Sequence, residues 1–92
     1  MSYSIELTLE AEADIEKHKK TGDKKTLIKI NKLLDELRET PTFGTGKPEK
    51  LKFYQTPTWS RRITDRHRLV YRIQDERVIV LVLSFWGHYN DK

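Results

Sequence analysis

The N-terminal segment has alternating hydrophobic and polar positions, followed by a stretch with the charge pattern of a helix. Residues Tyr3 to Leu9 alternate between apolar and polar side chains, which predicts a half-buried strand. Glu10 to Lys20 has acidic residues early and lysines late, an order that complements the dipole of a helix. Thr21-Gly22 predicts the end of this helix, because glycine accepts the left-handed conformation that commonly closes one.

A second helix is predicted directly after the first. Asp23 is a suitable N-cap, and Pro41 predicts the end of the helix at the residue before it. The apolar residues between them recur at spacings of three and four, which defines one apolar stripe: Leu27, Ile30, Leu33, Leu34 and Leu37. The two helices are therefore expected to form a hairpin with a tight turn at Gly22.

The remainder of the chain is predicted to be a loop followed by an antiparallel sheet. The segment Pro41 to Pro48 (PTFGTGKP) has two glycines and two prolines, which favour a loop. Three strands are predicted, from about Lys52 to Thr64 with a break near Pro57, from His67 to Ile73, and from Val78 to Ser84, with Gln74 to Arg77 as the last hairpin turn. The continuously apolar last strand is expected to be central and covered on both faces.

This order of elements predicts an α+β fold in which an N-terminal strand and a two-helix hairpin pack on a twisted antiparallel β-sheet. Ninety-two residues fit a single domain, spanning residues 1–92. The absence of cysteine excludes disulfides, thiolate metal sites and cysteine nucleophiles. No apolar stretch approaches the length of a membrane helix and the N-terminus does not resemble a signal sequence, so we expect a cytoplasmic protein that has no contact with membranes.

The positive charge is unevenly distributed. Gly44 to Arg72 contains eight basic and two acidic residues, a net charge of +6, whereas the rest of the chain has a net charge of −2. Such a segment is the usual electrostatic signature of a partner that carries phosphates. A solvated basic loop and strand without a ligand is the alternative interpretation.

Side-chain alternation predicts that two arginines lie together on the sheet. Leu69, Tyr71 and Ile73 are expected on the core face of their strand, with Arg68 on the opposite face. In the preceding strand Trp59, Arg61 and Ile63 share one side, so if Trp59 and Ile63 face the core, Arg62 projects beside Arg68. Two adjacent guanidinium groups favour a phosphate or carboxylate between them. Exposed arginines that only protect the sheet from edge pairing are the alternative.

Three histidines are possible proton-transfer groups or ligands. His88 follows the predicted last strand, at the rim of the sheet, and its side chain titrates near neutral pH. A solvated residue near the C-terminus is the alternative interpretation of His88. His18 falls in the first predicted helix and His67 at a turn, and their spacing does not indicate a zinc site, so no metal is expected.

Three sequence blocks resemble the YoeB/Txe toxins of the RelE superfamily. They are GTGKPEKLK (Gly44 to Lys52), WSRRITDRHRLVYRI (Trp59 to Ile73) and GHY (Gly87 to Tyr89). The N-terminal half is similar to the family only in the order of its elements and in the amphipathic second helix. Asn90 to Lys92 extends beyond the point at which the shortest members of the family end.

The resemblance implies a RelE-like fold and a set of functional residues. By this resemblance Glu49 is the general base, Arg68 stabilises the phosphate in the transition state, and His88 is the general acid. Lys52, Arg62 and Tyr89 match supporting positions in the same site. The implied chemistry needs no metal and no cofactor, because the RNA supplies its own nucleophile, the 2′-hydroxyl group.

The resemblance also implies an activity and partners. It identifies the chain as the toxin of a type II toxin-antitoxin system, an endoribonuclease that cleaves mRNA on the ribosome and inhibits translation. A cognate antitoxin similar to YefM or Axe and a second copy of the chain are the implied protein partners. Two alternatives stay open at this stage: a non-catalytic module that binds RNA or the ribosome, and a gyrase-inhibiting toxin built on the same scaffold.

Overall fold

The computed structural model of the chain describes residues 2–52, 54–77 and 79–87. Within these ranges the structure has two α-helices and five strands, one strand more than predicted. The elements are β1 (Ser4–Leu7), α1 (Leu9–Thr21), α2 (Lys24–Glu39), β2 (Glu49–Lys50), β3 (Thr58–Arg62), β4 (Arg68–Gln74) and β5 (Ile79–Ser84). A single 3₁₀ turn, Asp75–Arg77, connects β4 to β5.

Local capping interactions fix the ends of the two helices. The Thr8 hydroxyl accepts a hydrogen bond from the backbone N–H of Ala11 at the start of α1, and Gly22 ends this helix in the left-handed conformation with φ of 74°. Asp23 caps α2 by accepting from the N–H of Thr26, as predicted. In the described ranges, no helix is both long enough and apolar enough to cross a membrane.

The five strands form one mixed sheet in the order β1-β5-β4-β3-β2. The α+β fold class is confirmed, but β1 belongs to the sheet, at its edge, and pairs in parallel with β5. The other neighbouring pairs are antiparallel, as expected. The sheet is mixed because the helical hairpin lies between β1 and the remaining strands in the sequence and returns the chain across the sheet.

The long strand predicted from about Lys52 to Thr64 is wrong in its first part. Strand pairing begins earlier, in the two residues of β2, and resumes only at Thr58, after Pro57. The N–H of Leu51 donates to the carbonyl of Thr58 at 2.7 Å and joins the two strands. Proline lacks the N–H that a paired strand requires, which explains why β3 starts after it.

The core lies between the helices and one face of the sheet. Leu33 and Leu37 of α2 are completely buried, as are Leu69 and Tyr71 of β4. Val80, Val82 and Phe85 complete the same cluster. The central position of β5 is confirmed, but its second face is only partly covered, since Leu81 and Leu83 are half-buried. The face of the sheet away from the helices is therefore available for a functional site.

Candidate functional site

Two arginines lie side by side on the sheet face that points away from the helices. Arg62 of β3 and Arg68 of β4 are directly opposite each other in the antiparallel register. Side chains at directly opposite positions project from the same face. Arg62 is exposed and Arg68 is half-buried. The predicted pairing of these two guanidinium groups is therefore found in the structure.

Ser60 orients one of these arginines. Its hydroxyl accepts a hydrogen bond from Nη1 of Arg68 at 3.3 Å, and Ser60 itself is completely buried. A hydrogen bond from a buried group restricts the rotamers of a long side chain, so Arg68 is held over the middle of β3. Sequence reasoning did not assign a role to Ser60, although alternation placed it on the same face as Arg62.

Glu49 joins this face from β2. It is directly opposite Ser60 in the register of β2 and β3, so its side chain projects from the same face as the Ser60 hydroxyl. Glu49 is exposed. The structure therefore brings Glu49, Ser60 and Arg68 onto neighbouring positions of three adjacent strands. Lys52 lies in the bend that follows β2 and is also exposed.

The last described residue, Gly87, is bound to the start of β4. The N–H of Arg68 donates to the carbonyl of Gly87 at 3.1 Å, and the N–H of Gly87 donates to Nδ1 of His67 at 2.9 Å. The chain thus reaches position 87 beside the backbone of Arg68. The predicted site residues His88 and Tyr89, and the tail Asn90 to Lys92, lie outside the described residues.

Helix α1 anchors the segment that leads to Gly87. The Asp14 carboxylate accepts from the N–H of Phe85 at 3.0 Å, and Nε2 of His18 donates to the carbonyl of Phe85 at 2.9 Å. The His18 ring also packs against His67 and Trp86, with ring centroids 4.8 Å apart in both pairs. His18 and His67 are thus packing and hydrogen-bonding residues. Among the described residues, no group of three or more histidines and carboxylates is arranged to hold a metal ion.

Arg61 belongs to the interior and not to the exposed positive surface. It is completely buried, and its Nη1 lies 3.0 Å from Oε1 of Glu36. Its remaining hydrogen bonds go to the Tyr71 hydroxyl and to backbone carbonyls of the loop after α2, those of Thr40, Phe43 and Thr45. The predicted field of the Gly44 to Arg72 segment therefore has one contributing charge fewer, because Arg61 is neutralised by Glu36.

This buried ion pair fixes the glycine-rich loop that leads to β2. Oε1 of Glu36 also accepts from the N–H of Thr45 at 2.8 Å. The carbonyl of Gly46 accepts from the N–H of Arg62 at 2.7 Å. A Cβ atom at Gly46, where φ is +86°, would lie 2.9 Å from the carbonyl oxygen of Arg62, so this close approach requires glycine. The loop is thereby held against β3 and positions Glu49.

The pKa of Glu36 is lower than the ordinary value of a glutamate. Burial alone would raise it, but the hydrogen bonds from Thr45 and the positive charge of Arg61 outweigh the effect of burial. A carboxyl group with a lowered pKa in the folded state contributes stability above its unfolded-state pKa, which is about 4.3. That contribution is lost as the pH falls through the lowered folded-state value.

We therefore expect acid to destabilise the wild-type protein more steeply than the Glu36→Gln variant. Between about pH 5 and pH 3 the free energy of unfolding should fall more for the wild type than for the variant, because only the wild type loses the stability that ionised Glu36 contributes. Urea denaturation at several pH values in this range measures the two slopes. Glu39→Gln, a substitution at the exposed end of α2, is the matched control and should keep the wild-type slope. Equal slopes for wild type and Glu36→Gln would contradict this expectation.

Comparison with known proteins gives a consistent result for sequence and structure. Residues 7–89 match the family model described as a YoeB-like toxin of bacterial type II toxin-antitoxin systems. Toxin YoeB of Escherichia coli (strain K12) is 45% identical over 67 residues, which are 73% of this chain and 77% of that protein.

Two solved structures from Staphylococcus aureus are similar over almost their full length. The YoeB dimer has a TM-score of 0.80 and 39% identity, and the match covers 97% of this chain and 100% of that one. A toxin chain in the heterotetrameric YoeB-YefM toxin-antitoxin complex has a TM-score of 0.76 with the same identity and coverage. The overall arrangement of helices and sheet is therefore shared with these structures.

Proposed function

The chain belongs to the YoeB family of toxins of bacterial type II toxin-antitoxin systems, and from this premise we propose that it is an endoribonuclease. Its proposed substrate is mRNA on the translating ribosome, and the proposed outcome of cleavage is inhibition of translation. The proposed site is the sheet face that carries Glu49, Arg62 and Arg68. The proposed location of the reaction is the cytoplasm, where translation takes place.

The proposed reaction is an attack of a ribose 2′-hydroxyl on the adjacent phosphorus. Glu49 removes the hydroxyl proton as a new bond forms between the 2′-oxygen and phosphorus. His88 donates a proton to the 5′-oxygen as its bond to phosphorus breaks. The products are a 2′,3′-cyclic phosphate on the upstream fragment and a 5′-hydroxyl on the downstream fragment.

Arg68 has the electrostatic role in this mechanism. Negative charge grows on the non-bridging oxygens as phosphorus becomes five-coordinate, and a guanidinium can donate two parallel hydrogen bonds to these oxygens. The adjacent Arg62 adds a second positive charge from the opposite strand. Lys52 and Tyr89 are proposed to help hold the RNA. A fixed guanidinium supplies the charge stabilisation that a metal ion provides in other nucleases, so the mechanism requires no cofactor.

The register of the sheet is the observation that supports this proposal most. Glu49 is opposite Ser60, Ser60 binds the guanidinium of Arg68, and Arg68 is opposite Arg62. In addition, the backbone of Arg68 is hydrogen-bonded to Gly87, which is joined by one peptide bond to His88. The proposed base, the proposed anion-binding group and the residue that precedes the proposed acid thus lie at neighbouring positions. A positioned acid or base typically contributes about 10²- to 10⁴-fold in rate, so placing these groups together is what the proposed mechanism needs.

The proposed protein partners are an antitoxin and a second copy of the chain. The similar toxin from Staphylococcus aureus has been solved as a dimer and in a complex with YefM. An acidic, partly disordered antitoxin would neutralise the exposed basic face on which Arg62 and Arg68 lie. Binding there would block access of RNA to the site, so we expect such a partner to restore growth.

Mapping of mRNA ends after brief induction of the toxin tests the proposed function. We expect wild-type protein to stop growth and to produce discrete new 5′ ends within translated regions, detected by primer extension. His88→Ala is expected to produce none, while it still binds ribosomes. Growth arrest without new mRNA ends would contradict the proposal and favour inhibition by binding alone. DNA damage in place of mRNA cleavage would indicate gyrase as the target.

A further inference from the structure

A second positively charged surface lies outside the proposed cleavage site, on the helical hairpin. Residues 17–32 contain seven lysines and a single acidic residue, Asp23, which gives a net charge of +6. The chain outside Gly44 to Arg72 has a net charge of −2. This value hides the positive charge of residues 17–32, because acidic residues elsewhere cancel it. The positive charge of the protein is therefore divided between two surfaces.

Most of these lysines have no acidic partner in the structure. Lys17 and Lys19 form ion pairs with Asp14 and Glu16 on their own helix. The other five form no ion pair with any residue in the described ranges, and four of them are exposed while Lys29 is half-buried. We call these five the hairpin lysines: Lys20, Lys24, Lys25, Lys29 and Lys32.

The stability of the fold does not explain this concentration of charge. Lys24 and Lys25 occupy the first turn of α2, which has no acidic residue, so they oppose the positive end of the helix dipole. Lys25 and Lys29 are four residues apart, and Lys29 and Lys32 are three apart, spacings at which like charges on a helix repel. Lys24 and Lys25 thus stand where the isolated helix favours acids, and Lys29 adds to the repulsion, so a binding partner is the simpler reason for these lysines.

A groove lies between the hairpin turn and the turn that joins β3 to β4. An open cavity of about 760 Å³ separates the hairpin turn, represented by Thr21 and Asp23, from the turn between β3 and β4. Arg66 lines the opposite side of this cavity and is exposed. The lining also includes the carboxylates of Asp23 and Asp65, so the hairpin lysines and the sheet face are two separate positive surfaces.

The chemistry of this surface favours a phosphate backbone over a protein or a membrane. Ile28 is the one large apolar side chain of residues 17–32 that is strongly exposed. Protein interfaces have apolar cores enriched in aromatic residues and depleted of lysine. A helix that lies in a membrane surface needs a continuous apolar face. A row of lysines without such a face instead matches the regularly spaced charges of a nucleic acid.

We propose that the hairpin lysines bind the phosphate backbone of folded, double-helical RNA of the ribosome, outside the strand that is cut. This inference rests on the proposed function, because the ribosome presents the message to the sheet face. The two surfaces then have different tasks. The sheet face acts on the scissile phosphate, and the hairpin lysines determine affinity and orientation on the ribosome.

The salt dependence of ribosome binding tests this assignment. Lys24→Gln/Lys25→Gln is compared with Arg38→Gln/Arg77→Gln, which removes the same charge from two exposed arginines elsewhere on the surface. Purified ribosomes programmed with mRNA, and an RNA duplex of generic sequence, are the binding probes. Binding is measured between 50 and 200 mM salt, a range over which contacts with several phosphates weaken strongly, by roughly 10³-fold or more.

We expect the lysine variant to bind ribosomes about tenfold more weakly and the slope of log K against log salt to become shallower by about 2, one unit per phosphate contact. The affinity of the arginine control for ribosomes should stay within about twofold of wild type, because salt screens exposed charges that lie far from the binding surface. Equal affinities of the two variants would overturn the proposal. So would retained RNA binding combined with weaker binding to polyglutamate, which would assign the surface to an acidic protein.

Cleavage at saturating toxin separates this proposal from the proposed function. If the proposed function is correct, the lysine variant at saturation should cut the mRNA on programmed ribosomes at the wild-type single-turnover rate. The substitution should only raise the toxin concentration that is needed to reach saturation. A loss of rate at saturation would overturn the assignment of a docking role. If wild type itself does not cut mRNA, the proposed function fails, while the difference in ribosome affinity still decides whether the hairpin lysines bind RNA.

Discussion

Arg68→Ala is expected to lower the single-turnover rate of mRNA cleavage by about 10²- to 10³-fold, the usual effect of removing one preorganised group at a developing oxyanion. The guanidinium is held by the buried Ser60 hydroxyl, so it needs little reorganisation when charge develops on the phosphate. Rates are measured with saturating toxin on ribosomes that carry a defined mRNA. Because Arg68 is only half-buried, the substitution should change the free energy of unfolding of the protein by about 1 kcal/mol or less.

Arg72→Ala is the matched control for this substitution. Arg72 projects from the same face of β4, but it is opposite Thr58 and hydrogen-bonds to that residue at 3.2 Å, farther along the strand. The Arg72→Ala variant should therefore cleave mRNA at a rate within a few-fold of wild type. Arg68→Lys keeps the charge but loses the bidentate hydrogen-bonding geometry, so its cleavage rate should lie between those of Arg68→Ala and wild type. Equal losses for Arg68→Ala and Arg72→Ala would show that only general positive charge matters.

Arg61→Met is expected to cause the largest loss of stability, about 3–5 kcal/mol, because it leaves a partly buried carboxylate without its counter-ion. Glu36 would keep only its hydrogen bonds from Thr45. The carbonyl of Phe43 would lose its hydrogen bond from Arg61, and that of Thr40 would lose one of its two donors. For a domain of this size, each kcal/mol corresponds to about 4–8 °C in Tm. Urea and thermal denaturation at pH 7 measure both quantities.

Two further variants identify the cause of this loss. Adding Glu36→Gln to Arg61→Met removes the uncompensated charge and should recover part of the lost stability. Arg62→Met changes the neighbouring, exposed arginine and should alter the free energy of unfolding by less than about 1 kcal/mol. A change of similar size for Arg61→Met and Arg62→Met would show that the buried ion pair does not hold the loop together.

Features determined by local interactions were predicted well from the sequence. The stop at Gly22 and the cap at Asp23 depend on residues within one turn of the chain, and both are confirmed. The pairing of Arg62 with Arg68 followed from simple alternation in two strands joined by a short turn. In such cases a residue's neighbours in sequence are also its neighbours in space.

Features that depend on distant partners were not predictable in the same way. The pairing of β1 with β5 joins residues more than seventy positions apart, and no periodicity indicates on which edge a strand is added. Arg61 alternates with Trp59 and Ile63, so the pattern itself placed it on the core side. Its charge was nevertheless assigned to the surface, because its counter-ion, Glu36, lies on the second helix.

The candidate site was predicted in part. Resemblance to a family supplied Glu49, Arg68 and His88, and the register of the sheet explains how the first two share a face. The contribution of Ser60 needed coordinates, since a serine in a strand has no distinguishing sequence signal. The roles of all six predicted site residues stay predictions: Glu49, Lys52, Arg62, Arg68, His88 and Tyr89.

The most direct test of the proposed mechanism removes a single 2′-hydroxyl group from the RNA. Ribosomes are programmed with an mRNA that has a single 2′-deoxyribose at the mapped cleavage position, or with the all-ribose message. Attack by the 2′-hydroxyl predicts that only the all-ribose message is cut, with a 2′,3′-cyclic phosphate and a 5′-hydroxyl at the new ends. Cleavage of the deoxy-substituted message at the same position, or ends with a 3′-hydroxyl and a 5′-phosphate, would contradict it.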